Sequence, residues 1–282
     1  MKKVLVSVLS IVALVFLGFS LLFSVPPTPE VISSVAGPNQ KSLQCFDNPS
    51  PEAIDQNGEL NVLVWNIYKQ QRSNWREELE SLSEYRQLML LQEASMTDEL
   101  KGWIAEQSWG SNQVNAFEVF NVGAGVLNLA TNLPIQACAY TDLEPWLRLP
   151  KSALRAYYQL SDGSTLGVIN VHAVNFTFGT QEYQQQLNKL EKSIRDHKGP
   201  LIIAGDFNSW SDARVQAMKN SLRELGVQEV HFNPDNRTQF VTGLTLDHIF
   251  YRGLELKNAK APMTDASDHN PLQVSFKLVE TD

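Results

Sequence analysis

Leu201-Ile-Ile-Ala-Gly-Asp-Phe-Asn208 runs four apolar residues into a glycine and then sets an acid and an amide two positions apart. An apolar run of this length bounded by Gly reads as a buried strand. Residues two apart on a strand point the same way, so Asp206 and Asn208 project together from its C-terminal edge. Gly205 lets neighbouring backbone come close. A carboxylate and an amide oxygen side by side suit a hard divalent cation, or a water held for reaction. Taken alone, the same letters equally describe a strand followed by an Asx turn. The rest of the chain separates the two.

The 282 residues are 43% hydrophobic and 19% charged, enough apolar material for one sizeable core. A net charge of -8 argues against a protein living by non-specific nucleic-acid affinity, although a local basic groove would still admit such a substrate. Cys45 and Cys138 match no zinc spacing. An oxidising compartment would allow one disulfide, and the sequence leaves open whether the two meet.

Lys2 and Lys3 precede an uncharged, apolar run over residues 4–25. As a helix it would extend roughly 33 Å, long enough to cross a bilayer. No further Lys or Arg follows until Lys41, which by the positive-inside rule leaves the bulk of the chain outside the cytoplasm. The run is longer than a signal-peptide core, and Ser34-Val35-Ala36 fits a cleavage site but sits far downstream. The expectation is an uncleaved inner-membrane anchor with a periplasmic domain; the alternative is a cytoplasmic domain. Residues 26–58, rich in Pro, Ser, Asn and Gln, read as a linker, leaving residues 59–282 as the folded domain.

Within that domain, residues 60–65 and 88–93 read as strands, each ending in polar residues, Asn66 and Glu93 among them. Trp75, Leu79, Leu82 and Tyr85 recur at helical spacing, and Thr97 caps a second helix carrying Asp98 and Glu99 in its first turn. Residues 123–131, 135–140, 153–160 and 166–172 read as strands, with an Asp162-Gly163 hairpin turn between the last two. Tyr183, Leu187, Leu190 and Ile194 mark a third helix, and Val215, Met218, Leu222 and Leu225 a fourth. Residues 247–251 form a further strand, followed by a loop, Ser267-Asp-His-Asn-Pro271 and a last strand over 272–278. Strand groups separated by helices predict an α/β fold of two packed sheets with helices outside.

Polar residues gather at the ends of the apolar strands: Asn66, Glu93, His172, Asp206, Asn208, Asp247, Asp268 and His269. One such strand end is unremarkable; six imply a rim on which a site is built. Converging carboxylates repel one another unless a cation or a protonated histidine lies among them, which makes a metal an expectation of the pattern.

Trp65-Asn66, Gln92-Glu93, Val171-His172, Gly205-Asp-Phe-Asn208, Leu246-Asp247 and Ser267-Asp-His269 occur in one order across nearly the whole region from Leu60 to Leu278. In this the chain resembles the endonuclease/exonuclease/phosphatase family, which includes deoxyribonuclease I, the exonuclease III-type repair nucleases, the neutral sphingomyelinases and the inositol phosphatases. Within the family it is similar to a bacterial YafD-type branch. The resemblance implies a four-layer α-β-β-α sandwich and a Mg2+- or Mn2+-dependent phosphoester hydrolase, a nuclease or a phosphodiesterase/phosphatase.

By the same resemblance Glu93 would be the principal metal ligand, with Asn66 beside it and Asp268 approaching the metal or aligning His269. Asp206 and Asn208 would orient the attacking water and the phosphate. His269 would act on that water or hold the phosphate, its tautomer fixed by Asp247. His172 would donate to the leaving group or phosphate, where the repair nucleases generally carry a tyrosine, which points away from an abasic-site enzyme. Arg155 would bind phosphate, the family often having an Arg in this strand. Arg148 and Lys151 fit a phosphate contact and a solvated loop equally well.

Blander accounts accompany several of these residues. A lone strand-end histidine such as His172 is commonly structural, and Asp247 alone could cap a turn. His248 should face the far side of its strand, and His197 and His231 carry no expected role. Ser209-Trp210 follow where many nucleases place a small residue and an acid, so the substrate stays open between nucleic acid, phospholipid and small phosphoester. Trp210 could stack on a base or headgroup, or cover the core edge. The alternative to a hydrolase is a membrane-tethered binding protein that reuses the fold without chemistry; against it, every expected position holds a chemically competent residue. No protein partner is inferable and a monomer is expected.

Overall fold

The computed structural model describes residues 18, 22–38, 40–146 and 148–279. Among the described residues sixteen strands fall into two sheets: β1 Phe23–Ser24, β2 Val31–Ser33, β3 Lys41–Leu43, β4 Cys45–Asp47, β5 Glu59–Asn66, β6 Leu88–Ser95, β7 Gly110–Val119, β8 Val122–Ala130, β9 Gln136–Leu143, β10 Pro150–Gln159, β11 Thr165–His172, β12 Leu201–Asp206, β13 Gln228–Glu229, β14 Asp247–Arg252, β15 Leu254–Lys260 and β16 Leu272–Leu278. The first sheet runs β15-β16-β5-β6-β8-β7-β2-β3, with β1 on the far end of β7; the second runs β13-β14-β12-β11-β10-β9-β4. Both are mixed: β5 and β6 pair in parallel, as do β11 and β12, and the remaining pairs are antiparallel. The outer faces are covered by helices: α1 Trp75–Ser83 and α2 Asp98–Glu106 on the first sheet, α3 Gln181–Ile194 and α4 Asp212–Leu222 on the second.

The alternation along each strand explains the layering. Leu60, Val62 and Val64 of β5 face inward against Ile202 and Ala204 of β12 and Leu154 and Ala156 of β10, forming the inter-sheet core. Their neighbours Leu63 and Trp65 turn outward onto Leu79 and Trp103 of α1 and α2. In the second sheet Ile169, Leu201 and Ile203 meet Tyr183, Leu187 and Ile194 of α3 in the same way. A strand sandwiched between a sheet and a helix is buried on both faces, hence the unbroken apolar runs in the sequence. This is the expected four-layer α-β-β-α sandwich.

Two expectations change. Residues 26–58 are not a free linker. β2 and β3 extend one sheet, β4 joins the other, and Val31, Val35, Phe46 and Ile54 are buried. Strands of three residues are too short to show a period, and their Pro- and Ser-rich surroundings mimic a spacer. Cys45 and Cys138 are directly paired across β4 and β9 and are joined as a disulfide. Tyr85 lies beyond the end of α1, is 83% exposed, and is not part of its buried stripe. The uncharged run of residues 4–25 lies outside the described residues up to position 21 apart from Gly18, and its end forms β1. Among the described residues, no helix is long and apolar enough to cross a membrane.

Candidate active site

The rim where the two sheets open is assembled from strand ends in register. His172, Asp206 and Asp247 sit side by side on β11, β12 and β14, because His172 pairs with Asp206 and Asp206 with Asp247. Asn66 pairs with Gln92 at the corresponding ends of β5 and β6. Asn66 Nδ2 donates to Asp206 Oδ2 at 3.1 Å, bridging the sheets. The Ser267 hydroxyl donates to Asn66 O and accepts from His269 N–H, while Trp65 Nε1 donates to His269 O at 2.8 Å. These bonds deliver the loop before β16 to the same rim.

Backbone geometry does part of the aiming. Gly205 has φ 138°, and a Cβ there would stand 2.0 Å from Val171 O, so only glycine lets β12 lie against β11 at this point. Asn208 is left-handed (φ 48°), and its N–H returns to Asp206 Oδ1 at 2.9 Å. Glu93 is also left-handed (φ 53°), within a break in the β6–β8 register between Leu91 and Ala94. Such a bulge re-aims a side chain out of the ladder, and non-glycine residues hold this conformation where surrounding structure compels it. Arg214, buried at the start of α4, donates to Asn208 O (2.7 Å), Asn175 O, Thr177 Oγ1 and Val174 O, clamping the loops after β11 and β12 together.

The charges are arranged unequally. Burial works against a charge on His269, but the Asp247 carboxylate, 2.7 Å from Nδ1, with Asp206 and Asp268 nearby, raises its pKa to about 10. It is therefore an imidazolium at neutral pH. Burial raises Asp206 to about 6, with Asp247 adding to the rise and His269 and Lys151 opposing it. His172 moves the other way, well below the ordinary histidine value, through burial and the positive Lys151, Lys69 and His269. Lys151 Nζ lies 2.9 Å from His172 Nε2; an ammonium only donates, so Nε2 is the acceptor. In this arrangement His172 Nε2 carries no N–H to present to the cleft, and the N–H group beside it belongs to Lys151.

Asn66, Glu93, His172, Asp206, Asn208, Asp268 and His269 all line one cavity of about 250 Å³, and Asp247 reaches it through His269. Arg155 does not. Its guanidinium donates to Ser193 O at 2.8 Å, Gln136 Oε1 at 2.7 Å and Cys138 Sγ at 3.0 Å, holding α3 and the disulfide. It shares a face of β10 with Lys151, but four residues at ~3.3 Å each put it well down the strand, beneath a helix. The basic side chain at the rim is Lys151, and Lys69 joins it, forming an ion pair with Glu93. Lys69 sits in a left-handed turn after Asn66 that no periodicity announces. Gln92 turns inward instead, donating to Asn170 Oδ1 at 2.7 Å across the core. His248, as expected, faces away: Nδ1 meets Glu229 at 2.6 Å and Nε2 meets Ser209 Oγ at 2.7 Å. That serine is fully buried and donates to Thr245 O, so the trio braces the loop and offers no nucleophile.

Two groups of donors could receive a metal. Asp206, Asp247 and His269 present atoms within 4.8 Å of one another, but the imidazolium already balances that cluster. Glu93, Asn66 and Asp268 offer only oxygen, the donor set of a hard divalent cation, and Glu93 is countered solely by flexible lysines and the neutral His172. All three of these oxygen donors line the same cavity.

Residues 63–269 match the model of the endonuclease/exonuclease/phosphatase family. The chain belongs to that family. It is 57% identical over 263 residues to a UPF0294 protein of Vibrio campbellii, covering 93% of each chain. It is 46% identical to a UPF0294 protein of Yersinia enterocolitica, covering 77% of this chain and 84% of that one. Among solved structures it is similar in fold to the human Nocturnin catalytic domain with bound sulfate (TM-score 0.60, 17% identity, 80% of this chain and 96% of that one). A mannosyl-6-phosphatase of Bacteroides thetaiotaomicron gives TM-score 0.59 at 16% identity, over 77% and 99% of the two chains. Endonuclease/exonuclease/phosphatase proteins generally hydrolyse phosphoester bonds.

Proposed function

We propose that the protein is a Mg2+- or Mn2+-dependent phosphoester hydrolase. The observation that carries this is the division of labour at the rim: a carboxylate of raised pKa, an imidazolium beside it, and an oxygen-only donor set opposite. Glu93, Asn66 and Asp268 would hold the cation, which when bound polarises a phosphoryl oxygen and offsets charge developing there. Asp206 takes the proton of the attacking water, its pKa of about 6 leaving it ionised yet basic at neutrality. Asn208, fixed through Ala173 O and Arg214, orients that water. The His269 imidazolium, held by Asp247, and the Lys151 and Lys69 ammonium groups face the phosphoryl oxygens and the departing oxygen. Neutral His172 keeps Lys151 in place.

The disulfide supports an oxidising compartment and the apolar residues 4–25 support an inner-membrane anchor, so the catalytic domain is proposed to work in the periplasm as a monomer. The test is hydrolysis by the full chain of bis(p-nitrophenyl) phosphate, plasmid DNA, RNA, inositol phosphates and phospholipid, with Mg2+, Mn2+ or EDTA. Metal-dependent turnover, lost in Glu93→Gln and Asp206→Asn, is expected. Turnover that persists in EDTA, or in both variants, overturns the reading.

A further inference from the structure

A second cavity of about 280 Å³ shares Lys69, Glu93, Lys151, His172 and Asn175 with the first and continues the cleft past the lysines. Its remaining walls are Ala116, Phe117, Ala124, Leu149, Pro150 and Phe176 with Gly125 and the buried Glu144, a lining poor in groups that could read a nucleobase or a sugar. Around its mouth stand aromatic side chains a monomer in water has no reason to expose. Phe176 is 54% exposed, and the next loop residues include Phe178 at 73%, whose ring lies 4.2 Å from that of Trp146, itself 57% exposed. The turn joining β7 and β8, two strands that supply Phe117 and Ala124 to this cavity, carries Phe120, 75% exposed. Bulky apolar groups gathered at one opening mark a surface that meets another phase.

The chain itself indicates which phase. β1 pairs Phe23 with Val119, and Phe23 packs edge-on against Phe117, a wall of the apolar cavity. β1 thus lies beside this same cleft, with Leu22 and Val25 exposed on either side of it, and the uncharged run of residues 4–21 comes immediately before it in sequence. Trp and Phe at the edge of an apolar segment are the side chains that settle into the headgroup region of a bilayer.

Resting on the phosphoester reading above, we propose that the cleft opens onto a lipid bilayer and that the substrate is a membrane lipid carrying a phosphoester. Phe120, Trp146 and Phe178 enter the headgroup layer, the lipid's apolar part fills the Phe117–Phe176 cavity, and its phosphate lies among Lys69, Lys151 and Glu93. Water adds its oxygen to phosphorus from the Asp206 side, giving that carboxylate a proton. The bond from phosphorus to the lipid alcohol oxygen breaks on the Lys151 side, and the oxygen leaves with a proton from the ammonium. The products are a lipid alcohol that stays in the bilayer and a soluble phosphate monoester.

The experiment uses the full chain reconstituted into vesicles of phosphatidylethanolamine and phosphatidylglycerol with Mg2+ or Mn2+. Lipid alcohol is extracted and measured alongside hydrolysis of soluble bis(p-nitrophenyl) phosphate. Phe120→Ser and Phe178→Ser are expected to lower lipid turnover by roughly tenfold or more together, the scale of losing anchored aromatic side chains, without changing hydrolysis of the soluble diester. Lipids brominated near the headgroup should quench a tryptophan signal that disappears in Trp146→Phe. Unquenched Trp146, lipid turnover indifferent to the rim variants, or single-stranded DNA cleaved in preference to lipid each overturn the proposal. Failure to hydrolyse even the soluble diester condemns the phosphoester reading instead, and the quenching result still decides the docking surface.

Discussion

Asp247 Oδ2 and His269 Nδ1 meet at 2.7 Å, joining a strand of one sheet to the loop that feeds the other. A free histidine titrates near 6.5, and this one is raised to about 10. The pair therefore adds stability that is complete below the ordinary histidine pKa and is lost as pH rises through about 10. A His269→Gln variant should lack that alkaline slope in denaturant titrations run from neutral to alkaline pH. Its kcat should fall by about 10²–10³, as for other fixed donors facing developing negative charge.

Asp206 gives the opposite limb. Its proton is held up to about pH 6, and only the ionised form accepts a proton from water. The metal-saturated rate with bis(p-nitrophenyl) phosphate should climb through that pH. Asp206→Asn should remove the limb along with some 10²–10⁴ of the rate. A profile flat from pH 4 to 8 would assign the base elsewhere.

Lys69 forms an ion pair with Glu93 and would compete there with a divalent cation. Glu93→Gln should weaken Mg2+ binding in calorimetry by at least ~10–100-fold, since it removes the anionic donor itself. Lys69→Ala should tighten it several-fold, because a repelling unit charge a few ångströms from the ion is worth on the order of 1 kcal/mol in partly solvated surroundings. Weaker binding in Lys69→Ala would mean that the lysine organises the ligands instead of opposing the ion.

The Cys45–Cys138 link closes a long loop, with 93 residues of separation. Cys45→Ser should lower stability by about 2–4 kcal/mol in urea while leaving kcat near the parent value, since neither cysteine reaches the rim. Arg155→Gln should likewise cost stability, about 1–3 kcal/mol, for the buried partners it abandons. An increase in KM without loss of stability would restore Arg155 to the phosphate site.

Long apolar strands announced themselves: β5, β6, β11 and β12 are buried on both faces, and their polar ends named Asn66, Glu93, His172, Asp206 and Asn208. β7 stayed hidden because its buried positions include Asn112, Gln113 and Asn115, whose amides donate to Ser33 Oγ, Ala94 O and Glu118 Oε1, so the strand shows no hydrophobic alternation. β15, read as a loop, alternates weakly at the sheet edge, with Glu255 and Lys260 exposed. Side-chain direction was the other blind spot. Lys151 and Arg155 share a strand face and a charge; only the position of α3 decides that one serves the rim and the other the core. The left-handed turns at Lys69 and Glu93 have no signature in residue type, since neither residue prefers that conformation.

The placement of β2, β3 and β4 bears on the order in which the protein can be made. β3 and β4 end the two sheets and β2 lies next to the edge, yet Val31 waits for Val114 and Cys45 for Cys138. A chain emerging from its N-terminus can pair β2 with β3, but neither that pair nor β4 can join its sheet until β7 and β9 have followed, so closure of the sandwich is a late event. Throughout that interval the Cys45 thiol is open to any oxidant or exchange catalyst in its surroundings, which makes the nascent chain, far more than the folded protein, the redox-sensitive form.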